Sequence, residues 1–237
     1  MRTLILFMFC LSFYILASCT PKPVGKHLFI LSGQSNMARL DPEESFIPTL
    51  QAKYGTENII VVKDALGGIP IRRWYKDWKP VAGNELTAQP DLYDTLMNKV
   101  YPAIENEKVA TVTFIWMQGE RDAREQLGEV YEESLIGLHQ QISDDLERPD
   151  VNYIIGRLSD FDMQNDNYAH WTMIRDIQVK VGESNPRFHW INTDDLNDGL
   201  DHTGKEIQND LHMSAEGYIL MGERFAREAI RLIDNHD

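Results

Sequence analysis

The sequence contains very little cysteine, since Cys10 and Cys19 are the two examples among 237 residues. Both lie near the N terminus, and Cys10 falls inside an apolar run that would be removed with a signal peptide. A disulfide framework, a thiol nucleophile and a cysteine-based metal site are therefore excluded from the mature domain.

Basic side chains are also scarce relative to acidic ones. The chain has 23 lysines and arginines against 37 aspartates and glutamates, which gives a formal net charge of −14 at pH 7. Because nucleic-acid-binding proteins present basic surfaces, this balance argues against nucleic acid as a partner.

The N terminus has an apolar run, Leu4 to Leu16, that is too short to span a bilayer, which takes about 20 residues. A basic residue precedes the run, and the small residues Ala17 and Ser18 follow it. This pattern is typical of a secretory signal peptide, and it predicts one over residues 1–18.

The end of this segment, Leu16-Ala17-Ser18-Cys19, resembles a bacterial lipobox, in which the cysteine becomes the lipidated first residue. We therefore predict that residues 19–26 are the lipidated Cys19 and a short tether, and that residues 27–237 are the domain. Acyl chains on Cys19 would anchor the protein to a membrane of the bacterial cell envelope, on its periplasmic or surface side. The alternative is an ordinary cleaved signal and a secreted protein.

Beyond Lys26, apolar extended runs alternate with longer amphipathic stretches, which is typical of a parallel sheet covered by helices. Strands are predicted over 27–32, 58–65, 109–117, 151–158 and 187–193. Helices are predicted over 91–105, 124–147, 168–183 and 214–234. The predicted fold is a three-layer α/β/α domain with five parallel strands.

Three loops that leave predicted strands carry the chemistry, because ligands of an open α/β sheet bind beyond the carboxyl ends of its strands. The first, Gly33-Gln34-Ser35-Asn36-Met37, presents a hydroxyl where a helix begins. Backbone N–H groups at such a turn stabilise developing negative charge on a carbonyl oxygen. The ordinary alternative is that Ser35 caps the helix.

The other candidate residues follow later strands. The loop Ala65 to Pro70 contains Gly67 and Gly68, whose N–H groups are open to close approach. The loop Trp116 to Ala123 offers the amide of Gln118 as a hydrogen-bond donor. His212 lies among polar residues before the last helix and is a candidate general base. His202 is the alternative candidate for this base.

In this order the blocks resemble the SGNH hydrolases, and within them the sialate O-acetylesterase-like domain and carbohydrate esterase family six. Residues 33–37 match the block Gly-Gln-Ser-Asn-Met, residues 116–123 match Trp-x-Gln-Gly-Glu-x-Asp-Ala, and residues 67–71 match the second block in part. The resemblance implies a flavodoxin-like fold with Ser35 as nucleophile and His212 as base. It also implies an oxyanion hole of Ser35, Gly68 and Gln118, and neither a metal nor an organic cofactor.

The third member of the triad has three candidates. The family places an aspartate three residues before the histidine, but this chain has Asn209 there and Asp210 one position later. Glu120 in the third block is a further candidate. We favour Asp210 over Asn209, because a carboxylate stabilises an imidazolium better than an amide does.

The segment after the second block suggests a substrate. Arg72, Arg73 and Trp74 lie close together, and aromatic faces suit sugar rings while arginines suit carboxylates. The alternative is a turn whose tryptophans pack into the core. With the resemblance, the expected partner is an acetylated extracellular glycan, of the acetylxylan or the sialate type.

Two other functions remain open at this point. A non-catalytic glycan-binding lipoprotein on the same fold would account for Asn209 in place of the triad aspartate. A glycosidase would pair Glu120 with Asp122 or Asp194, and it needs roughly 5 to 9.5 Å between the two carboxyl groups. The sequence does not indicate an oligomeric state.

Overall fold

A computed structural model of the protein describes residues 24–236. The predicted signal peptide over residues 1–18 and the predicted lipidation of Cys19 lie outside the described residues. The strands of the main sheet are β1 (Lys26–Gly33), β2 (Ile59–Ala65), β3 (Val109–Met117), β4 (Asn152–Gly156) and β5 (Phe188–Ile191). A small hairpin is formed by β6 (Gly199–Leu200) and β7 (Glu206–Ile207).

The helices are α1 (Ser35–Arg39), α2 (Phe46–Tyr54), α3 (Asp91–Ile104), α4 (Glu120–Arg124), α5 (Tyr131–Asp145), α6 (Trp171–Gly182) and α7 (Ala215–His236). Three short 3₁₀ turns cover Thr56–Asn58, Ile71–Arg73 and Gly128–Val130. No helix of residues 24–236 is both long and apolar enough to cross a membrane.

The five main strands are parallel and lie in the order β2-β1-β3-β4-β5. Their carboxyl ends therefore share one edge. β1 and β3 are central, so the loops after them meet in the middle of this edge, beside the loop after β2. The predicted three-layer α/β/α fold is confirmed.

Both faces of the sheet are buried, which is why the strands read as continuous apolar runs. Leu28 and Ile30 of β1 point to a core completed by α3, α5 and α6, whereas Phe29 and Leu31 point to a core completed by α1, α2 and α7. All four side chains are fully buried. The alternation fixes the register of β1 and hence the position of the turn that follows it.

The predicted helix over 124–147 is wrong over residues 125–130, before α5 begins. The chain leaves α4 through Gln126, which has a φ of 58°, and passes Gly128 before α5 begins. A Cβ on Gly128 would lie 2.6 Å from Met173 Sδ, so the break lets α6 pack closely here. Helix α2 carries Pro48 and a weak apolar pattern, and it was not predicted.

Candidate active site

The turn between β1 and α1 brings Ser35 to the carboxyl edge of the sheet. Gly33 has a φ of 144°, and a Cβ there would lie 2.0 Å from the carbonyl oxygen of Met117. The N–H of Gln34 donates to that same oxygen at 2.9 Å. Only glycine permits this approach of β1 to β3. The chain then turns at once into α1, whose first residue is Ser35.

His212 meets Ser35 from the other end of the chain. Its Nε2 lies 3.2 Å from Ser35 Oγ, although 177 residues separate the two in sequence. Burial lowers the pKa of the His212 ring below 6.5, Arg39 lowers it further, and Asp210 opposes both effects. The imidazole is therefore mostly neutral at pH 7, as a general base must be.

The three candidates for the triad acid occupy different places. Asp210 Oδ1 lies 3.8 Å from His212 Nδ1 and accepts the backbone N–H of His212 at 2.9 Å. Asn209 has a φ of 45°, and its side-chain amide donates to the carbonyl oxygen of Phe161 instead. Glu120 forms no ion pair with the His212 ring within the described range 24–236. Asp210 is therefore the candidate with a carboxylate oxygen within 4 Å of a ring nitrogen of His212.

Glu120 is fully buried beneath the Ser35 cavity. Its Oε1 accepts a hydrogen bond from Asn36 Nδ2 at 2.8 Å, and its Oε2 has no partner among residues 24–236. Asn36 also accepts from the hydroxyl of Tyr218 at 2.9 Å and donates to the carbonyl oxygen of Leu211 at 3.2 Å. Asn36 thus joins the nucleophile helix to the third block and to the His212 loop.

Two backbone N–H groups beside Ser35 are placed as oxyanion donors would need to be. A Cβ built on Gly67 would lie 3.5 Å from Ser35 Cβ, so the loop after β2 passes directly over the serine. Gly68 has a φ of 72°, which glycine adopts without strain. Within residues 24–236, the N–H groups of Ser35 and Gly68 donate to no acceptor, and both residues line one cavity.

The structure corrects the assignment of Gln118 to the oxyanion hole. Its side chain is fully buried, and its Nε2 donates to Asp122 Oδ2 at 2.6 Å and to the carbonyl oxygen of Ile69 at 3.0 Å. A third acceptor, Gln34 Oε1, lies at 3.2 Å. An amide has two N–H bonds, and both are already used inside the protein.

The cavity at Ser35 has a volume of about 270 Å³. It is lined by Gln34, Ser35, Gly67, Gly68, Glu120, Arg121, Arg124, Tyr168, Leu211 and His212. Tyr168 was missed because it was predicted to lie in a helix, whereas α6 begins at Trp171. The segment Asn165-Asp166-Asn167 before it is typical of a loop, and a loop after β4 belongs to the site edge.

None of the predicted substrate contacts Arg72, Arg73 and Trp74 lines this cavity, and the burial of Trp74 contradicts its prediction. Trp74 is 1% exposed and packs edge-on against Trp116 in the core. Arg73 forms a bidentate pair with Asp91, and Arg72 donates to the loop that precedes α3. This segment lies against the core because the Trp74 ring is buried there.

No group of three or more histidine, cysteine, aspartate or glutamate side chains in residues 24–236 is arranged to hold a metal ion. The glycosidase hypothesis also finds little support in this arrangement. Asp122 is fully buried and accepts hydrogen bonds from Ile71 and Gln118, and Asp194 pairs with Arg157 and Arg175. Neither carboxylate lines the cavity with Glu120.

The ionisation of His212 sets an expected pH dependence. Because burial and Arg39 lower its pKa, kcat/KM should rise through an apparent pKa below 6.5 and reach a plateau by pH 7. The measurement is hydrolysis of p-nitrophenyl acetate from pH 4.5 to 8. Arg39→Gln should move the rising limb to higher pH, since it removes a neighbouring positive charge. A wild-type midpoint above pH 7 would contradict this expectation.

Glu120 sets an expected dependence of stability on pH. Burial raises the pKa of Glu120 from 4.5 to about 7, so the folded protein holds this proton more tightly than the unfolded chain does. Its ionisation therefore destabilises the fold progressively as pH rises from 4.5 through 7, by about 3 kcal/mol in full.

Glu120→Gln removes this titration, so it should raise the free energy of unfolding by about 2 to 3 kcal/mol at pH 8 relative to its effect at pH 5. Urea denaturation of both proteins at the two pH values measures the difference. The glutamine keeps an oxygen to accept from Asn36, and any packing change applies equally at both pH values. An effect independent of pH would show that Glu120 does not titrate in this range.

A family model described as carbohydrate esterase, sialic acid-specific acetylesterase, matches residues 38–231. The match begins just after Ser35 and includes His212. A search of curated protein sequences finds no match to this chain.

Solved structures with the same fold include a protein from Arabidopsis thaliana, with a TM-score of 0.64 and 17% identity over 87% of this chain and 98% of that chain. A novel carbohydrate acetylesterase from Xanthomonas citri has a TM-score of 0.65 and 17% identity over 89% of this chain and 57% of that chain. A carbohydrate acetylesterase family member from Sinorhizobium meliloti has a TM-score of 0.55 and 11% identity over 88% and 99% of the two chains.

These identities are low, so the solved structures bear on the fold alone. They share the α/β fold with a five-stranded parallel sheet that the sequence predicted. The family model, by contrast, spans most of the chain. The protein therefore belongs to the carbohydrate esterase family described as sialic acid-specific acetylesterase.

Proposed function

We propose that the protein is a serine esterase that removes O-acetyl groups from extracellular carbohydrates. The observation that carries the proposal is the 3.2 Å contact between His212 Nε2 and Ser35 Oγ at the wall of a cavity. A serine hydroxyl becomes an effective nucleophile when an adjacent base accepts its proton. Membership of a carbohydrate esterase family supports an ester of a sugar as the substrate.

Acylation begins when Ser35 Oγ attacks the acetyl carbonyl carbon while His212 Nε2 accepts the hydroxyl proton. The carbonyl oxygen becomes an oxyanion, which the N–H groups of Ser35 and Gly68 stabilise. The tetrahedral intermediate then collapses: the bond from carbon to the sugar oxygen breaks, and that oxygen takes the proton from His212. The sugar leaves with a free hydroxyl, and the acetyl group stays on Ser35.

Deacylation repeats the same steps with water. His212 Nε2 accepts a proton from water as its oxygen attacks the acetyl carbon, and the same two N–H groups stabilise the second oxyanion. The bond to Ser35 Oγ breaks, and Oγ recovers its proton from His212. Acetate is released, with no redox change and no cofactor in either half of the reaction.

Asp210 is the residue that we assign to orient His212 during these steps. Its Oδ1 lies 3.8 Å from His212 Nδ1, which is longer than a hydrogen bond. Catalytic hydrogen bonds are often long in the free enzyme and shorten when substrate binds. The same oxygen already holds the backbone N–H of His212 at 2.9 Å, so a small rotation closes the remaining gap.

The sugar contacts that we propose replace the ones predicted from sequence. Tyr168 presents a half-buried ring at the cavity, and Asp162 holds its backbone N–H at 2.6 Å. Arg124 lines the same cavity and forms no ion pair within residues 24–236. An aromatic ring beside an unpaired guanidinium suits a sugar that carries a carboxylate better than a neutral one.

We further propose that the mature protein is a lipoprotein of the bacterial cell envelope, attached through Cys19. The support is the sequence Leu16-Ala17-Ser18-Cys19 after an apolar run. Expression of wild type and Cys19→Ala in a bacterial host, followed by membrane fractionation, tests this. Wild type should be found with the membranes and Cys19→Ala in the soluble exported fraction. Equal distribution of the two would contradict lipidation.

The experiment that tests the esterase proposal is acetate release from a panel of acetylated xylan and O-acetylated sialosides, with Ser35→Ala as the control. We expect acetate from at least one of them with wild type and none above background with Ser35→Ala. We expect Arg124→Gln to lose more activity on the sialosides than on xylan. Binding of the glycans without acetate release would favour the glycan-binding alternative and overturn the proposal.

A further inference from the structure

The loop that supplies the second oxyanion donor is held in place by side chains outside the reaction itself. We define the oxyanion loop as residues 66–71. Its first N–H, from Leu66, donates to the carbonyl oxygen of Gly33 at 3.1 Å. Two further hydrogen bonds join the loop to residues 118–122. The carbonyl oxygen of Ile69 accepts from Gln118 Nε2 at 3.0 Å, and the N–H of Ile71 donates to Asp122 Oδ2 at 2.9 Å.

Asp122 connects both of these later attachments. Its Oδ2 accepts from the Ile71 N–H and also from Gln118 Nε2 at 2.6 Å, and the carboxylate is fully buried. Its Oδ1 has no partner among the described residues 24–236. Both donors converge on one oxygen that is shielded from water, so neither can move away without leaving a buried polar group without its hydrogen bond.

The orientation of the Gln118 amide is fixed from the opposite side. The one hydroxyl proton of Tyr131 is shared between two acceptors of Gln118, its carbonyl oxygen at 2.6 Å and its Oε1 at 3.0 Å. Gln178 Nε2 donates to that carbonyl oxygen at 2.8 Å. The amide of Gln118 therefore has an acceptor, Asp122 Oδ2, at one end and a donor, the Tyr131 hydroxyl, at the other. This arrangement assigns its NH₂ group to the side of Asp122 and the oxyanion loop.

We infer that Asp122 is a positioning residue for the esterase reaction: it holds the oxyanion loop, and hence the Gly68 N–H, at the place where the carbonyl oxygen becomes an anion. This inference rests on the proposed function. Asp122 touches neither Ser35 nor the cavity, and it acts through Ile71 and Gln118. Preorganised donors carry much of the catalysis in acyl transfer, and a shift of about 1 Å in the reacting groups costs about a hundredfold in rate.

The test compares Asp122→Ala and Asp122→Asn with wild type on p-nitrophenyl acetate. We expect kcat to fall about a hundredfold in Asp122→Ala with KM changed less than threefold, because the oxyanion is bound in the transition state and not in the ground state. Asp122→Asn keeps one acceptor oxygen and should fall between the two. Asp150→Asn, which disturbs a surface pair with Arg148, is the control and should match wild type.

A second measurement separates positioning from a loss of folding. A boronic acid that forms a tetrahedral adduct on Ser35 places an oxygen in the oxyanion hole, so its affinity should fall in parallel with kcat in both Asp122 variants. Circular dichroism and thermal unfolding show whether each variant is folded at the assay temperature. A folded Asp122→Ala enzyme with wild-type kcat and wild-type boronate affinity would overturn the inference.

Failure of the inference differs from failure of the proposed function. If wild type hydrolyses no ester and does not bind the boronate, the proposed function fails, and the role of Asp122 falls with it. If wild type is active and the folded Asp122 variants are equally active, only the role of Asp122 is overturned. If the variants unfold, Gln118→Glu provides the second probe, since it replaces the amide donor to Asp122 and Ile69 with a second carboxyl group and should lower kcat and boronate affinity together.

Discussion

Replacing Ser35 by alanine is expected to lower kcat on p-nitrophenyl acetate by about 10⁴-fold or more. In the proposed mechanism the hydroxyl oxygen forms the covalent bond, so its removal leaves only the oxyanion donors and the binding cavity. KM should change little, because the cavity walls are unaffected. Initial rates of p-nitrophenol release measure both constants.

The matched control is Ser184→Ala, which removes an exposed serine hydroxyl just beyond the C-terminal end of α6. That variant should keep wild-type kcat and KM. Turnover of Ser35→Ala within tenfold of wild type, with both proteins equally folded, would contradict the assignment of the nucleophile. It would also remove the reason for giving His212 the role of base.

The second large effect is expected at the triad acid. Asp210→Asn should lower kcat about 10³-fold, since the imidazolium formed in each half-reaction loses its carboxylate. Asn209→Ala should keep turnover within about threefold, because its amide contacts Phe161 and not His212. Glu120→Gln should keep it within about tenfold, because the glutamine oxygen still accepts from Asn36. The measurement is kcat on p-nitrophenyl acetate at pH 7.5.

The three variants distinguish the three candidates by which one loses activity. Near-normal turnover of Asp210→Asn together with a large loss in Glu120→Gln would transfer the role to Glu120. A large loss in Asn209→Ala alone would favour a triad that uses an amide. His212→Gln, measured beside them, should resemble Ser35→Ala, because the nucleophile and its base act as one unit.

The fold was largely predictable from the sequence because its main signals are local. The continuous apolar runs of β1 and β3 predict strands buried on both faces, and the pattern of α7 predicts a helix with one apolar side. The break between α4 and α5 was not predictable, since it reflects the fit of Gly128 against Met173 across the fold. Such a contact leaves no periodic trace in the sequence.

The chemical centre of the site was also predictable, but its surroundings were not. Ser35, Gly68 and His212 each follow a strand or precede a helix in recognisable blocks, and the structure brings all three to one cavity. Gln118 belongs to an equally recognisable block, yet its amide direction depends on Tyr131 and Asp122. Sequence identifies the residue type at that position, whereas its partners decide which way it points.

The residues around the substrate cavity were not predictable either, because their positions depend on contacts that are distant in sequence. Trp74 is a large aromatic residue in a polar segment, and nothing nearby in sequence indicates that it packs against Trp116 in the core. Tyr168 instead reaches the cavity because Asp162 organises the loop after β4 through three backbone N–H groups. Hydrogen bonds from several backbone N–H groups to one carboxylate can be recognised only in the folded loop.

Covalent labelling of Ser35 tests the central claim most directly. A fluorophosphonate reacts with a serine that an adjacent base activates, and its adduct resembles the tetrahedral intermediate. Intact mass and peptide mass spectrometry of wild type should show one adduct, on the peptide that contains Ser35. Ser35→Ala should remain unlabelled, and His212→Gln should label far more slowly than wild type. Equal labelling of Ser35→Ala, or an unlabelled wild type that still releases acetate, would contradict a Ser35 nucleophile.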